Sequence, residues 1–65
     1  MNKRIRIAIE DYVKTKGAID SRVLIAMFAK QFSTTKQRIS GNISYMVCNE
    51  GTLSIIRKKP HSTIY

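Results

Sequence analysis

The sequence predicts a mainly α domain with a small β-hairpin at its C-terminal end. Apolar residues recur at helical spacing in three separate stretches before Gly51. The closing stretch, "TLSIIRKKPHSTIY", then changes to β-type residues on either side of a proline. At 65 residues the chain has room for one domain with a slim core, so residues 1–65 are read as a single unit.

The first helix lies in "NKRIRIAIEDYVKTKG", where Ile5, Ala8, Ile9 and Tyr12 share a face. Lys14 and Lys16 suit the negative end of its dipole, and Gly17 is a natural stop. "AID" is too short for a helix. Ile19 is expected to pair as a single extended residue, and Asp20 to cap the helix that follows. In that second helix, "SRVLIAMFAKQF", Leu24, Met27, Phe28 and Phe32 form the stripe, widened by Val23 and Ile25, with Phe32 as the end.

"STTKQ" marks the third helix. Ser33 or Thr34 is expected as its cap, and Thr34 with Gln37 has capping-box spacing. Ile39, Ile43, Met46 and Val47 continue the apolar face, and Gly51 should end the helix. Only two or three residues are expected between the second and third helices, a helix-turn-helix pattern. Leu53 and Ile55 then alternate toward one face, Pro60 sits in the turn, and Ile64 returns to the core.

The formal net charge of +8 is unevenly laid out. From Ser21 to Asn49 there is no acid, but Arg22, Lys30, Lys36 and Arg38 fall there. After Glu50 there is again none, and Arg57, Lys58 and Lys59 follow. A polyanionic partner is the inference; a generally basic, solvated surface is the competing reading. Cys48 is the single cysteine, so no internal disulfide forms, which fits a reducing cytoplasm. No apolar run is long enough to span a bilayer, and Glu10 and Asp11 interrupt any secretory stretch.

Catalysis finds little support. Glu10 and Asp11 are neighbours on a helix and point apart, Asp20 reads as a cap, and Glu50 as a helix end. One histidine and one cysteine make no metal constellation. No Gly-rich phosphate loop or nucleophile–base pair appears, so neither enzyme activity nor a cofactor is expected. Cys48 reads as a small filler, and Met27 and Met46 as core.

With the order helix, short extended residue, helix, tight turn, helix, basic hairpin, the chain resembles the winged-helix (winged helix-turn-helix) family of DNA-binding proteins. The resemblance spans essentially the whole chain and rests on "AIDSRVLIAMFAKQFSTTKQRISGNISYMVCNEGTLSIIRKKPHSTIY". It implies double-stranded DNA as partner, the third helix in the major groove and the hairpin as a wing on backbone or minor groove. A bacterial or phage transcription regulator or a nucleoid-associated factor, cytoplasmic and monomeric, is the role it suggests. The closing segment also looks like the end of a small-subunit ribosomal protein of the same fold, which keeps RNA as an alternative. A small phage protein that binds an acidic host protein is the third reading.

With Ile39, Ile43, Met46 and Val47 buried, the opposite face of the third helix offers Gln37, Arg38, Gly41, Ser44, Tyr45 and Cys48. Gln can read adenine and Arg guanine. Thr34, Thr35 and Lys36, with the free N–H groups of the first turn, suit phosphates. Gly41 reads either as close backbone approach to nucleic acid or as a tight helix crossing. Tyr45 reads either as a stacking or phosphate contact or as a residue packed on a neighbour. Arg57, Lys58, Lys59 and His61 surround the proline tip, which reads either as entering a narrow A·T-rich minor groove or as touching phosphates alone.

Overall fold

The apolar stripes of three helices converge on one face of a three-stranded antiparallel sheet. A computed structural model describes residues 3–58 and 61–65, apart from the side chains of Lys58 and His61. In chain order these form α1 (Lys3–Lys16), β1 (Ile19–Asp20), α2 (Ser21–Gln31), α3 (Lys36–Tyr45), a π-helical turn (Met46–Glu50), β2 (Ile55–Lys58) and β3 (His61–Ile64). Pro60, expected in the turn of the hairpin, lies outside the described residues.

Helix α1 buries Ile5, Ile9 and Val13, one every fourth residue, with Ala8 and Tyr12 packed beside them. Val13, one residue beyond the expected stripe of Ile5, Ala8, Ile9 and Tyr12, joins the buried row. Gly17 ends the helix at φ 87°, donating its N–H to the Val13 carbonyl at 2.8 Å. That left-handed conformation is readily open to glycine.

Asp20 caps α2 as expected, its Oδ1 accepting from the Arg22 N–H at 2.8 Å. Leu24, Phe28 and Ala29 are the buried residues of α2, with Ile25, Met27 and Phe32 partly covered. Val23, expected to widen the stripe, is instead 56% exposed. It lies about 140° round the helix from Phe28, at the centre of the packed sector, and so falls outside it. Phe28 and Tyr12 meet edge to face with centroids 5.7 Å apart, and Phe28 stacks on Phe32 at 6.0 Å. One ring thereby joins α1, α2 and the end of α2.

The link from α2 to α3 runs from Phe32 to Thr35, slightly longer than the two or three residues expected. Phe32 leaves α2 as its C-cap and donates to the Phe28 carbonyl at 3.0 Å. Ser33 takes a left-handed φ of 51° to reverse the chain, and the Thr34 N–H closes back on the Ala29 carbonyl at 2.9 Å. Ser33 and Thr34 are thus committed to the turn. The cap of α3 is Thr35, which is extended and whose Oγ1 accepts from the Arg38 N–H at 3.1 Å. The expected cap at Ser33 or Thr34 is corrected to Thr35 for that reason.

Ile39, Asn42 and Ile43 are buried on α3, and Met46 continues the row into the π-helical turn. Gly51 stops it at φ 69°, its N–H bonded to the Met46 carbonyl. Leu53 drops into the core, and Ser54 and Tyr65 exchange both backbone hydrogen bonds at 2.8 and 3.0 Å. Strand β3 is central, between β1 and β2. Ile64 sits opposite both Ile19 and Ile55 and is fully buried, so one row of isoleucines faces the helices. Complete burial of such a side chain contributes about 1.5–3 kcal/mol.

Candidate nucleic-acid interface

Because α3 packs through Ile39, Asn42 and Ile43, the 3.6-residue repeat turns Gln37, Ser40, Ser44 and Cys48 outward. All four are exposed, as are Thr35, Lys36 and Arg38, whereas Thr34, Gly41 and Tyr45 are half-buried. Beyond its first turn the outer surface of α3 is therefore small, polar and uncharged. Its cations, Lys36 and Arg38, are confined to the first turn.

The distribution of acids sharpens that pattern. Glu10 pairs with Lys14 at 3.0 Å, Glu50 with Arg6 at 3.5 Å, and Asp20 with Arg22 at 3.7 Å. Among the described residues, Lys3, Lys16, Lys30, Lys36, Arg38 and Arg57 are exposed and enter none of these pairs. Lys36 and Arg38 share the first turn of α3, which holds no acid to offset their positive potential.

A groove of about 820 Å³ runs along the α1 flank of α3, bordered by Ile5, Phe32, Thr34, Gln37, Arg38 and Asn42 among others. A second one, toward α2, is bordered by Arg22, Ile25, Lys36, Gln37 and Ser40. Gln37 is the crest between them.

Tyr45 and Gly41 are less exposed than the rest of the outer face of α3. Tyr45 is packed, with the Arg6 guanidinium 4.9 Å from its ring centroid, so the neighbour-packing reading holds for it. Gly41, expected to face away from the core, is half-buried and borders the same groove as Ile5 and Asn42. Its position between crest and flank accounts for this. Cys48 is exposed on the outer side, opposite Met46, where the sequence placed it; only its reading as a small filler does not hold.

In the hairpin, Arg57 pairs in register with Ser62, two residues along from the Ile55–Ile64 pair. Side chains two apart share a sheet face, so Arg57 prolongs the row of Ile55 beyond the core. Lys59, Pro60 and the side chains of Lys58 and His61, all expected at the tip, lie outside the described residues.

Sequence reasoning missed Ser40, Asn42 and Arg6. Ser40 was legible as the residue three beyond Gln37 on the same face. Asn42 lies three residues beyond Ile39, within the buried arc. Its Nδ2 donates to the Arg38 carbonyl at 2.8 Å, and its Oδ1 is buried with no hydrogen-bond partner among the described residues.

Comparison with protein-family models, with curated proteins and with solved structures found no match for the chain.

Proposed function

We propose that this chain is a minimal winged-helix protein that binds double-stranded DNA, with α3 in the major groove and the β2–β3 hairpin as its wing. One observation carries the reading: the uncharged outer face of α3 is headed by Lys36 and Arg38, two exposed cations with no acid beside them. A helix of that character fits a groove whose walls are phosphate and whose floor is uncharged base edges. The element order and the antiparallel hairpin after α3 support the same reading. So does the net charge of +8.

In this account Thr34, Thr35, Lys36 and Arg38 meet the backbone, while Gln37, Gly41 and Ser44 face the bases. Arg57, Lys58, Lys59 and His61 clamp the adjoining stretch of duplex, with a preference for A·T-rich DNA set by groove shape. The protein acts as a bacterial or phage transcription regulator or as a nucleoid-associated factor.

Selection of bound molecules from a random duplex pool, beside a structured RNA pool at matched salt, tests the proposal. Enrichment of duplex DNA is expected. Retention of RNA alone would assign the chain to the RNA-binding alternative, and retention of neither at low salt would favour a protein partner.

A further inference from the structure

The outer face of α3 divides by position, and the division names what the proposed site reads. At about 100° per residue, Lys36 and Ser40 fall on the α2 flank, and Arg38 and Asn42 on the α1 flank. Gln37, Ser44 and Cys48 lie on the crest between them, with Gly41 between the crest and the α1 flank. The grooves agree: Arg38 and Asn42 border one with Ile5, Lys36 and Ser40 border the other with Ile25, and Gln37 alone of these borders both.

Chain length along the crest then decides which residue can reach a base. Gly41 has no side chain, and Ser44 and Cys48 extend by a single heavy atom beyond Cβ. Gln37 is exposed and carries both a donor and an acceptor on a flexible stem. A helix entering a major groove crest first brings Gln37 to the floor and sets one cation against each phosphate wall.

We infer that Gln37 is the specificity-determining residue of α3, reading adenine, and that Arg38 and Lys36 hold phosphates and carry no sequence information. The amide oxygen accepts from adenine N6–H while the amide nitrogen donates to N7. This inference rests on the duplex-DNA reading above. It removes Arg38 from the guanine-reading role that its residue type suggests, and it places an A·T preference in the major groove, separate from any minor-groove effect at the hairpin.

The test uses the full chain and two probes: an alternating A·T duplex, and the same duplex with 7-deazaadenine in place of adenine. The replacement deletes the N7 acceptor in the major groove and leaves the minor groove unaltered. Wild type is expected to bind the parent duplex about fivefold more tightly or better, the loss of roughly 1 kcal/mol or more of base discrimination. Gln37→Ala should bind both duplexes alike. Arg38→Ala should weaken both equally, keep the preference, and reduce the salt slope by about 1. Both side chains are exposed, so neither truncation touches the core. A Gln37→Ala protein that still prefers the parent duplex, an Arg38→Ala protein that loses the preference, or a wild type with none would each overturn the inference. A wild type that binds neither duplex overturns the duplex-DNA reading and the inference with it.

Discussion

The guanidinium of Arg6 lies 4.9 Å from the centroid of the Tyr45 ring, and its Nε is 3.5 Å from a Glu50 carboxylate oxygen. A cation on α1 is thus held between a ring at the end of α3 and an acid at the end of the π-helical turn. The Arg6 side chain is only 15% exposed, so the contact is largely out of water. Arg6→Met with Tyr45→Leu in a double-mutant cycle should give a coupling of about 0.5–2 kcal/mol in urea unfolding. Zero coupling would mean that the pair is adjacent without attraction.

Thr35 caps α3, and Thr34 does not. Thr35→Ala is expected to lower stability by about 0.5–2 kcal/mol, as loss of a helix cap does. Thr34→Ala, whose backbone bond to Ala29 survives truncation, should cost less. Equal losses in urea titrations would show that the two hydroxyls share the cap.

Gly51 closes the π-helical turn at φ 69° with open space around its α-carbon. Gly51→Ala should cost about 1–2 kcal/mol from backbone strain alone, with no steric clash to relieve. Gly51→Asn should be milder, since asparagine tolerates the left-handed region. Thermal unfolding of the two variants separates them, and an unchanged midpoint for Gly51→Ala would contradict the assignment.

Much of this architecture was legible because it depends on local chemistry. Asp20 before an apolar run and Gly17 and Gly51 after one follow from neighbours within a few residues, and Leu53, Ile55 and Ile64 from simple alternation; that Ile19 pairs with Ile64, far along the chain, was not legible. The cap of α3 was not legible, since three successive hydroxyl residues compete and the choice falls to the left-handed turn at Ser33. Arg6 looks like a solvated cation between Ile5 and Ile7; only the approach of α3 covers it. Asn42 reads as surface by residue type, yet it lies about 60° round the helix from Ile39, on the flank that faces α1, and is buried there. For the candidate site, Gln37 and Arg38 were found by their place opposite Ile39 and Ile43. Which of them is crest and which is flank required the packing of α1 and α2 on either side.

If the proposed function holds, affinity should fall steeply with salt. Each phosphate neutralised contributes about −0.9 to the slope of log K against log salt on duplex DNA, so roughly four to seven contacts give a slope near −4 to −6. Anisotropy titrations over a range of salt concentrations measure it. A nearly flat dependence would argue for a protein partner.

The hairpin cations make a separate prediction. Lys58→Ala with Lys59→Ala should weaken duplex binding while leaving the unfolding midpoint unchanged. A greater loss on A·T-rich than on G·C-rich duplexes is expected from shape reading of the minor groove. Equal loss on both would reduce the hairpin to an electrostatic clamp.

The central claim is that duplex DNA meets the outer face of α3 together with the hairpin. Amide ¹⁵N–¹H spectra of the chain, recorded while a short A·T-rich duplex is added, test it most directly. The largest shifts are expected between Thr34 and Ser44 and along the β2–β3 hairpin, while the amides of Ile9 to Lys16 on α1 stay near their free positions. Shifts concentrated on α1, with the α3 amides unmoved, would contradict it.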